Sequence, residues 1–263
     1  MPGPTPSRKR DESTVFGWLG RMRGRRAIVA GSLLLVVLLV GGFGLWRLMN
    51  ARGFQVAGDL VKRVETTERV VALTFDDGPV AGRVEPVLDA LRQANARATF
   101  FVLGDGLAND PEGGRRLVAA GHQLANHSYT HARMIFRSTA FYQREIEETD
   151  ALIRAAGFEG PIVFRPPYGK KLVGLPLYLA QTGRTTVTWD VEMDAAADVS
   201  GTAEEMVATT FAQVRPGSIV LLHPWYDRRG EAVRAIVPIV AGLRERGYRF
   251  VTVNELLELR ASN

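Results

Sequence analysis

Residues 70–82 read VVALTFDDGPVAG: an apolar run, two adjacent carboxylates at Asp76 and Asp77, then a Gly78-Pro79 break. The run is a buried strand. Its exit decides the fold, because no Gly-x-Gly-x-x-Gly turn opens here, as it would in a dinucleotide-binding sheet. The two acids pose a question. Neighbouring strand residues point to opposite faces and adjacent like charges repel, so strict alternation lets at most one of them face a given partner.

Outward from this strand the chain alternates. ATFFVL (98–103), HQLAN (122–126), IVFR (162–165), TTVTWDV (185–191), SIVLLH (218–223) and YRFVTV (248–253) also read as buried strands. VEPVLDALRQAN (84–95), YQREIEETDALIRAAG (142–157) and GEAVRAIVPIVAGLRERG (230–247) are helix-like, and several such segments close on Gly after basic residues. The alternation predicts an α/β fold with a parallel sheet. About seven strands without the dinucleotide turn suit a distorted (β/α) barrel better than an open sheet.

Composition bounds the rest. The first 26 residues hold seven basic and two acidic side chains, so the formal charge of +5 sits there and the remainder balances. The domain downstream therefore has no charge-based case for nucleic acid. With no cysteine, disulfides, thiolate nucleophiles and Cys-based zinc sites are excluded, and any metal needs His, Asp or Glu. Residues 27–46, AIVAGSLLLVVLLVGGFGLW, are uncharged over the length a helix needs to cross a bilayer. Positive charge on their N-terminal side predicts a signal-anchor with the tail inside and residues 47 onward periplasmic or extracellular. A cleaved signal peptide is the competitor, but the run is long for one and NARGFQVAG is a weak cleavage site. The chain thus divides into a tail (1–26), a span (27–46), a connector (47–67) and a domain over 68–259.

Polar residues gather at strand C-termini: Asp76 and Asp77, His127, Arg165, Asp190 to Asp194, and His223. Parallel barrels and sheets carry their active sites at that end, and a purely structural sequence has no need of polar groups there on five strands. In NHSYTH, His127 and His131 stand at i, i+4, a spacing that on a helix puts both imidazoles on one face to share a metal. Such a pair often serves packing instead. It gains weight because the chain has four histidines in all and a carboxylate pair ends a neighbouring strand. Two His and one Asp form a common ligand set for catalytic zinc. Arg165, in FRPPYG, is either a structural ion-pair partner or the orienter of a catalytic carboxylate beside a loop whose N–H groups face an oxyanion.

TFDDGP, HSYTH, RPPYG and the Leu-Leu-His of 221–223, in this order, resemble the motifs of the polysaccharide deacetylases, also called NodB-homology or carbohydrate esterase family 4 domains, over roughly 68–259. The resemblance implies a divalent metal, zinc first with Co2+, Mn2+ or Ni2+ as alternatives, held by Asp77, His127 and His131. It implies Asp76 as general base, Arg165 as its orienter, His223 as acid to the leaving amine, and an oxyanion site near Tyr168 and Pro167; His122 is structural. The substrate implied is an N-acetylated glycan of the envelope or an extracellular polysaccharide. A lipid-linked amino sugar, an O-acetyl ester, and a non-catalytic glycan-binding module are the alternatives. Two departures stand out. The usual Asp-x-x-Asp-Trp is replaced by TWDVEMDAAAD, leaving Asp190, Glu192, Asp194 or Asp198 as partner of His223, with Asp194 preferred. After His223 the chain reads Pro-Trp-Tyr, so Trp225 and Tyr226 either form a sugar platform or pack on the rim.

Overall fold

The computed structural model describes Gly3 and residues 12–193, 201–226 and 230–261, with backbone alone for 12–30 and 261. It forms two compact units, 1–47 and 48–263. The first is dominated by α1 (Glu12–Met49). Its Gly31–Met49 stretch, with mean hydropathy 2.0 and nothing buried, is the one helix among the described residues long and apolar enough to cross a membrane.

The second unit begins with β1 (Leu60–Val61), β2 (Val70–Gly78), α2 (Val84–Gln93), β3 (Thr99–Val102), α3 (Gly104–Asn109), α4 (Pro111–Ala119) and β4 (Gln123–Asn126). After α5 (Thr139–Ala155) and a 3-10 turn (Pro167–Gly169) come α6 (Gly174–Gln181), β5 (Thr186–Val187) and β6 (Val191–Glu192). The chain ends with α7 (Ala203–Gln213), β7 (Ser218–Leu222), α8 (Glu231–Glu245), β8 (Arg249–Val251) and α9 (Val253–Ala261).

The strands pair in parallel, in the order β4-β3-β2-β7-β6, with β8 alongside the first residues of β2. Phe164 bridges Asn126 on one side and Thr186 on the other, while Val191 and Glu192 pair with β7. Residues 186–192 therefore reach both ends of the sheet. The strands curl into the expected distorted barrel, open along this seam. Three predicted strands are shorter than expected. IVFR contributes a bridge at Phe164, TTVTWDV splits into β5 and β6, and YRFVTV ends at Val251 because α9 begins at Val253.

Burial follows strand alternation. On β2, Val71, Leu73 and Phe75 pack with residues of α2 and α8 such as Leu91 and Ile236. Val70 and Ala72 join the smaller inner cluster with Phe101, Ile219 and Leu221. Thr74 and Asp76 continue this inner row by parity, which puts Asp76 at its end. Strict alternation would send Asp77 to the opposite face.

Candidate active site

The strand does not hold its alternation. Between Asp76 and Gly78 the register against β3 shifts, so that Asp76 pairs with Phe101 and Gly78 with Val102. Asp77, the extra residue, has φ 71°, in the left-handed region. A bulge with one residue turned this way re-aims its side chain. Both acids thereby reach the rim.

Asp76 is held from inside the barrel. Its Oδ1 accepts from Arg165 Nη1 at 2.5 Å, and the same nitrogen lies 3.0 Å from Thr74 Oγ1. Arg165 also donates through Nε to the Val187 carbonyl (3.3 Å) and through Nη2 to that of Thr188 (3.1 Å), with its guanidinium 3.8 Å over the Phe101 ring. It is fully buried. Burial pulls its pKa down while the Asp76 carboxylate works to hold its charge. Both side chains of the pair are buried, so Arg165 orients the Asp76 carboxylate from within the fold.

The histidines meet differently from the sequence expectation. Residues 127–131 are not helical, which corrects the i, i+4 argument: the imidazoles converge through a tight turn with Ser128 at φ 74° and His131 at φ 57°. Asn126 Oδ1 accepts from Ser128 N (2.8 Å), and Ser128 Oγ accepts from His131 N (3.1 Å). Glu145, buried on α5, accepts from the backbone N–H groups of Tyr129 (3.0 Å) and Thr130 (2.9 Å) and from the Thr130 hydroxyl (2.9 Å). Among the described residues, four of the six non-glycine positions with left-handed backbone belong to this site: Asp77, Ser128, His131 and Tyr168. Such strain persists where the surroundings over-determine it, as at functional sites.

Asp77 Oδ1 lies 3.3 Å from Nε2 of both His127 and His131. Burial works against ionising Asp77, but the imidazoles of His127, His131 and His223 around it bring its pKa down to about 2. Burial drives His131 to about 4, the His127 charge adding to it, so this imidazole is neutral at pH 7. His127 Nδ1 lies 2.8 Å from the Arg165 carbonyl, which claims the ring proton and leaves Nε2 a lone pair. In that tautomer the buried Asp77 Oδ1 has no hydrogen-bond partner. One oxygen and two nitrogen lone pairs, all within 4.8 Å of one another, then face each other. This donor set repels itself without a cation and fits a divalent metal.

The cluster borders a cavity of about 190 Å³ that Asp76, His127, His131, Tyr168, Glu192 and His223 also line. Tyr168 is 49% exposed, its ring 4.5 Å from that of His131, and Pro167 beside it in sequence is buried. Tyr226 is exposed. Trp225 is 1% exposed and packs over Gly78, where a Cβ would come within 2.3 Å of the indole. Of the two roles weighed for it, Trp225 takes packing, since no face is left for a sugar. Asp190 is committed elsewhere, accepting from Ser218 Oγ and Ile219 N at 2.8 Å each, so it is no partner for His223. Asp194 and Asp198 lie outside the described residues. His122 Nδ1 accepts from Ala98 N at 3.3 Å, remote from the cluster. Two neighbours of the site gave no signal as single letters in the sequence: Glu145 and Arg52, the latter also lining the cavity.

A family model described as polysaccharide deacetylase matches residues 63–187. A peptidoglycan-N-acetylglucosamine deacetylase of Bacillus cereus is 33% identical over 207 residues, 77% of this chain and 95% of that protein. A chitooligosaccharide deacetylase of a Bradyrhizobium species is 35% identical over 200 residues, 72% and 90% of the respective chains. Among solved structures, a peptidoglycan N-acetylglucosamine deacetylase in complex with 4-naphthalen-1-yl-N-oxidanyl-benzamide matches with a TM-score of 0.69 at 28% identity, covering 74% of this chain and 91% of that one.

Proposed function

The chain belongs to the polysaccharide deacetylase family of N-acetyl amide hydrolases, and on that premise we propose a membrane-anchored N-deacetylase acting on amino sugars of a cell-envelope or extracellular polysaccharide. The observation that carries the reading is the buried Asp77 oxygen without a hydrogen-bond partner, 3.3 Å from two imidazole nitrogens. A divalent metal, zinc in this reading, held by Asp77, His127 and His131 would supply Lewis acidity, acidifying a water and polarising the acetamido carbonyl. Asp76 is the base. Arg165 occupies its Oδ1, so Oδ2 is the atom that takes the proton from the attacking water. A backbone N–H near Tyr168 would bind the developing oxyanion. His223 would then protonate the departing amine, and a nearby carboxylate, Asp194 in this reading, would favour its charged form. Exposed Tyr168 and Tyr226 are the sugar contacts proposed.

The apolar stretch of α1 supports the anchor, and the basic residues before it support an inward-facing tail. It also supports a second reading, a lipid-linked amino sugar as substrate, which product profiling on polymeric and lipid-linked sugars separates. The assignment of base and ligands is tested by two variants. Asp76→Asn should abolish acetate release from an N-acetylglucosamine oligomer while metal content stays at the wild-type level. His127→Ala should lose both. Near-full activity in Asp76→Asn would show that another group is the base.

A further inference from the structure

The segment from Met49 to Arg52 precedes the family match at 63–187, yet it forms part of the active-site wall. Backbone carbonyls of this segment accept hydrogen bonds from Lys171 and Thr188. The Met49 carbonyl accepts from Lys171 N (3.2 Å), the Ala51 carbonyl from the Lys171 ammonium (2.5 Å), and the Arg52 carbonyl from the Thr188 hydroxyl (2.7 Å). Lys171 is 1% exposed, and burying an ammonium is costly unless it is hydrogen-bonded. Here that bond goes to this segment. Thr188 neighbours Trp189, and Lys171 comes just after the Tyr168 turn, so the segment is fixed to the two loops that frame the cavity.

Arg52 lines the cavity with Asp76, His127, His131 and His223. Its guanidinium lies 4.7 Å over the Trp189 ring and pairs with Glu192, which lines the same cavity. The Arg52 side chain is 45% exposed and that of Glu192 27%, so neither is used up by the fold. A guanidinium carries five N–H donors in a rigid fork, and Nη2 spends one on Glu192. Donors from Arg52 and acceptors from Glu192 stand side by side with little net charge. That arrangement matches the hydroxyl and amide groups of an uncharged sugar ring. A sugar carboxylate at this wall would face Glu192.

We propose that Arg52 is a positioning residue of the active site, and that the Arg52–Glu192 pair makes the wall select an uncharged amino sugar over one bearing a carboxylate. This rests on the N-deacetylase reading above. The test uses the detergent-solubilised full chain loaded with zinc, an N-acetylglucosamine tetramer and an N-acetylmuramic acid oligosaccharide. Arg52→Ala should raise KM for the tetramer about tenfold with kcat little changed, and Arg52→Lys, lacking the fork, should restore only part. Glu192→Gln should lower the ratio of kcat/KM between neutral and carboxylated sugars by about fivefold or more. An unchanged KM in Arg52→Ala, or a fall in kcat alone alongside a lower melting temperature, overturns the proposal. Acetate release from neither sugar by the wild type would instead overturn the N-deacetylase reading. Calorimetric binding of the tetramer then decides Arg52 on its own: weaker binding by Arg52→Ala supports the role, and equal binding removes it.

Discussion

Asp76 and Asp77 differ by one residue and by everything around them. Asp76 ends an inward-facing row and is clasped by a buried guanidinium, whereas Asp77 leaves the row through a left-handed bulge. Removing one member of a buried ion pair leaves the other charge without compensation, so Arg165→Met should cost about 3–5 kcal/mol in urea unfolding and should also lower turnover. A loss below about 1 kcal/mol would mean that Asp76 is not held as described. His122 offers a separate check, away from the proposed metal ligands. Burial, with Arg97 adding to it, brings its pKa from 6.5 to about 4, and its Nδ1 serves as an acceptor for Ala98 N. The unfolded chain therefore binds this proton more readily, and stability should fall as pH drops from 6.5 towards 4. His122→Asn, which keeps a side-chain acceptor but does not titrate, should flatten that part of the profile. The pairing of acids and histidines was legible from the residues alone, as was their place at strand ends. The assignment of Asp77 to a metal rests on the family resemblance, because a bulge and a left-handed φ leave no mark in a strand's letters.

At the scale of elements, the turn after β4 is a construction of three segments. Asn126 and Ser128 fold it, and Glu145 from α5 locks the two N–H groups between the histidines. Outer-shell partners of this kind typically matter about 10–100-fold in metal affinity, so Glu145→Ala should weaken zinc binding on that order although it touches no metal. Competition with a zinc indicator measures it, and unaltered affinity would make the lock dispensable. Periodicity gave a helix over 142–157, where α5 runs Thr139–Ala155, but could not tell that Glu145 faces a turn rather than solvent. The same limit applies after β7. Trp225 packs on Gly78 and Phe100, so Trp225→Ala should cost about 3–5 kcal/mol in stability, while Tyr226→Ala should leave stability intact and raise KM if its exposed ring holds sugar. Two aromatic letters in a row carry no record of which one lies over a glycine.

The whole molecule combines an apolar helix with a hydrolase of N-acetyl amides. The architecture was readable from alternation alone, except at the seam, where short pairings at 164, 186–187 and 191–192 replace full strands. Such bridges come from how the barrel's edges meet rather than from local propensity. An uncleaved anchor predicts that the intact mass of the protein from washed membranes includes residues 27–46, whereas a processed soluble form lacking them would identify a signal peptide. The proposed activity requires Asp77, His127 and His131 to hold a divalent metal on which amide hydrolysis depends. The decisive experiment follows acetate release from an N-acetylglucosamine oligomer before chelation, after chelation, and after zinc is returned. Release should stop on chelation and recover with zinc in the wild type, with no recovery in His127→Ala. Undiminished release from metal-free protein would show that the three residues hold no catalytic metal.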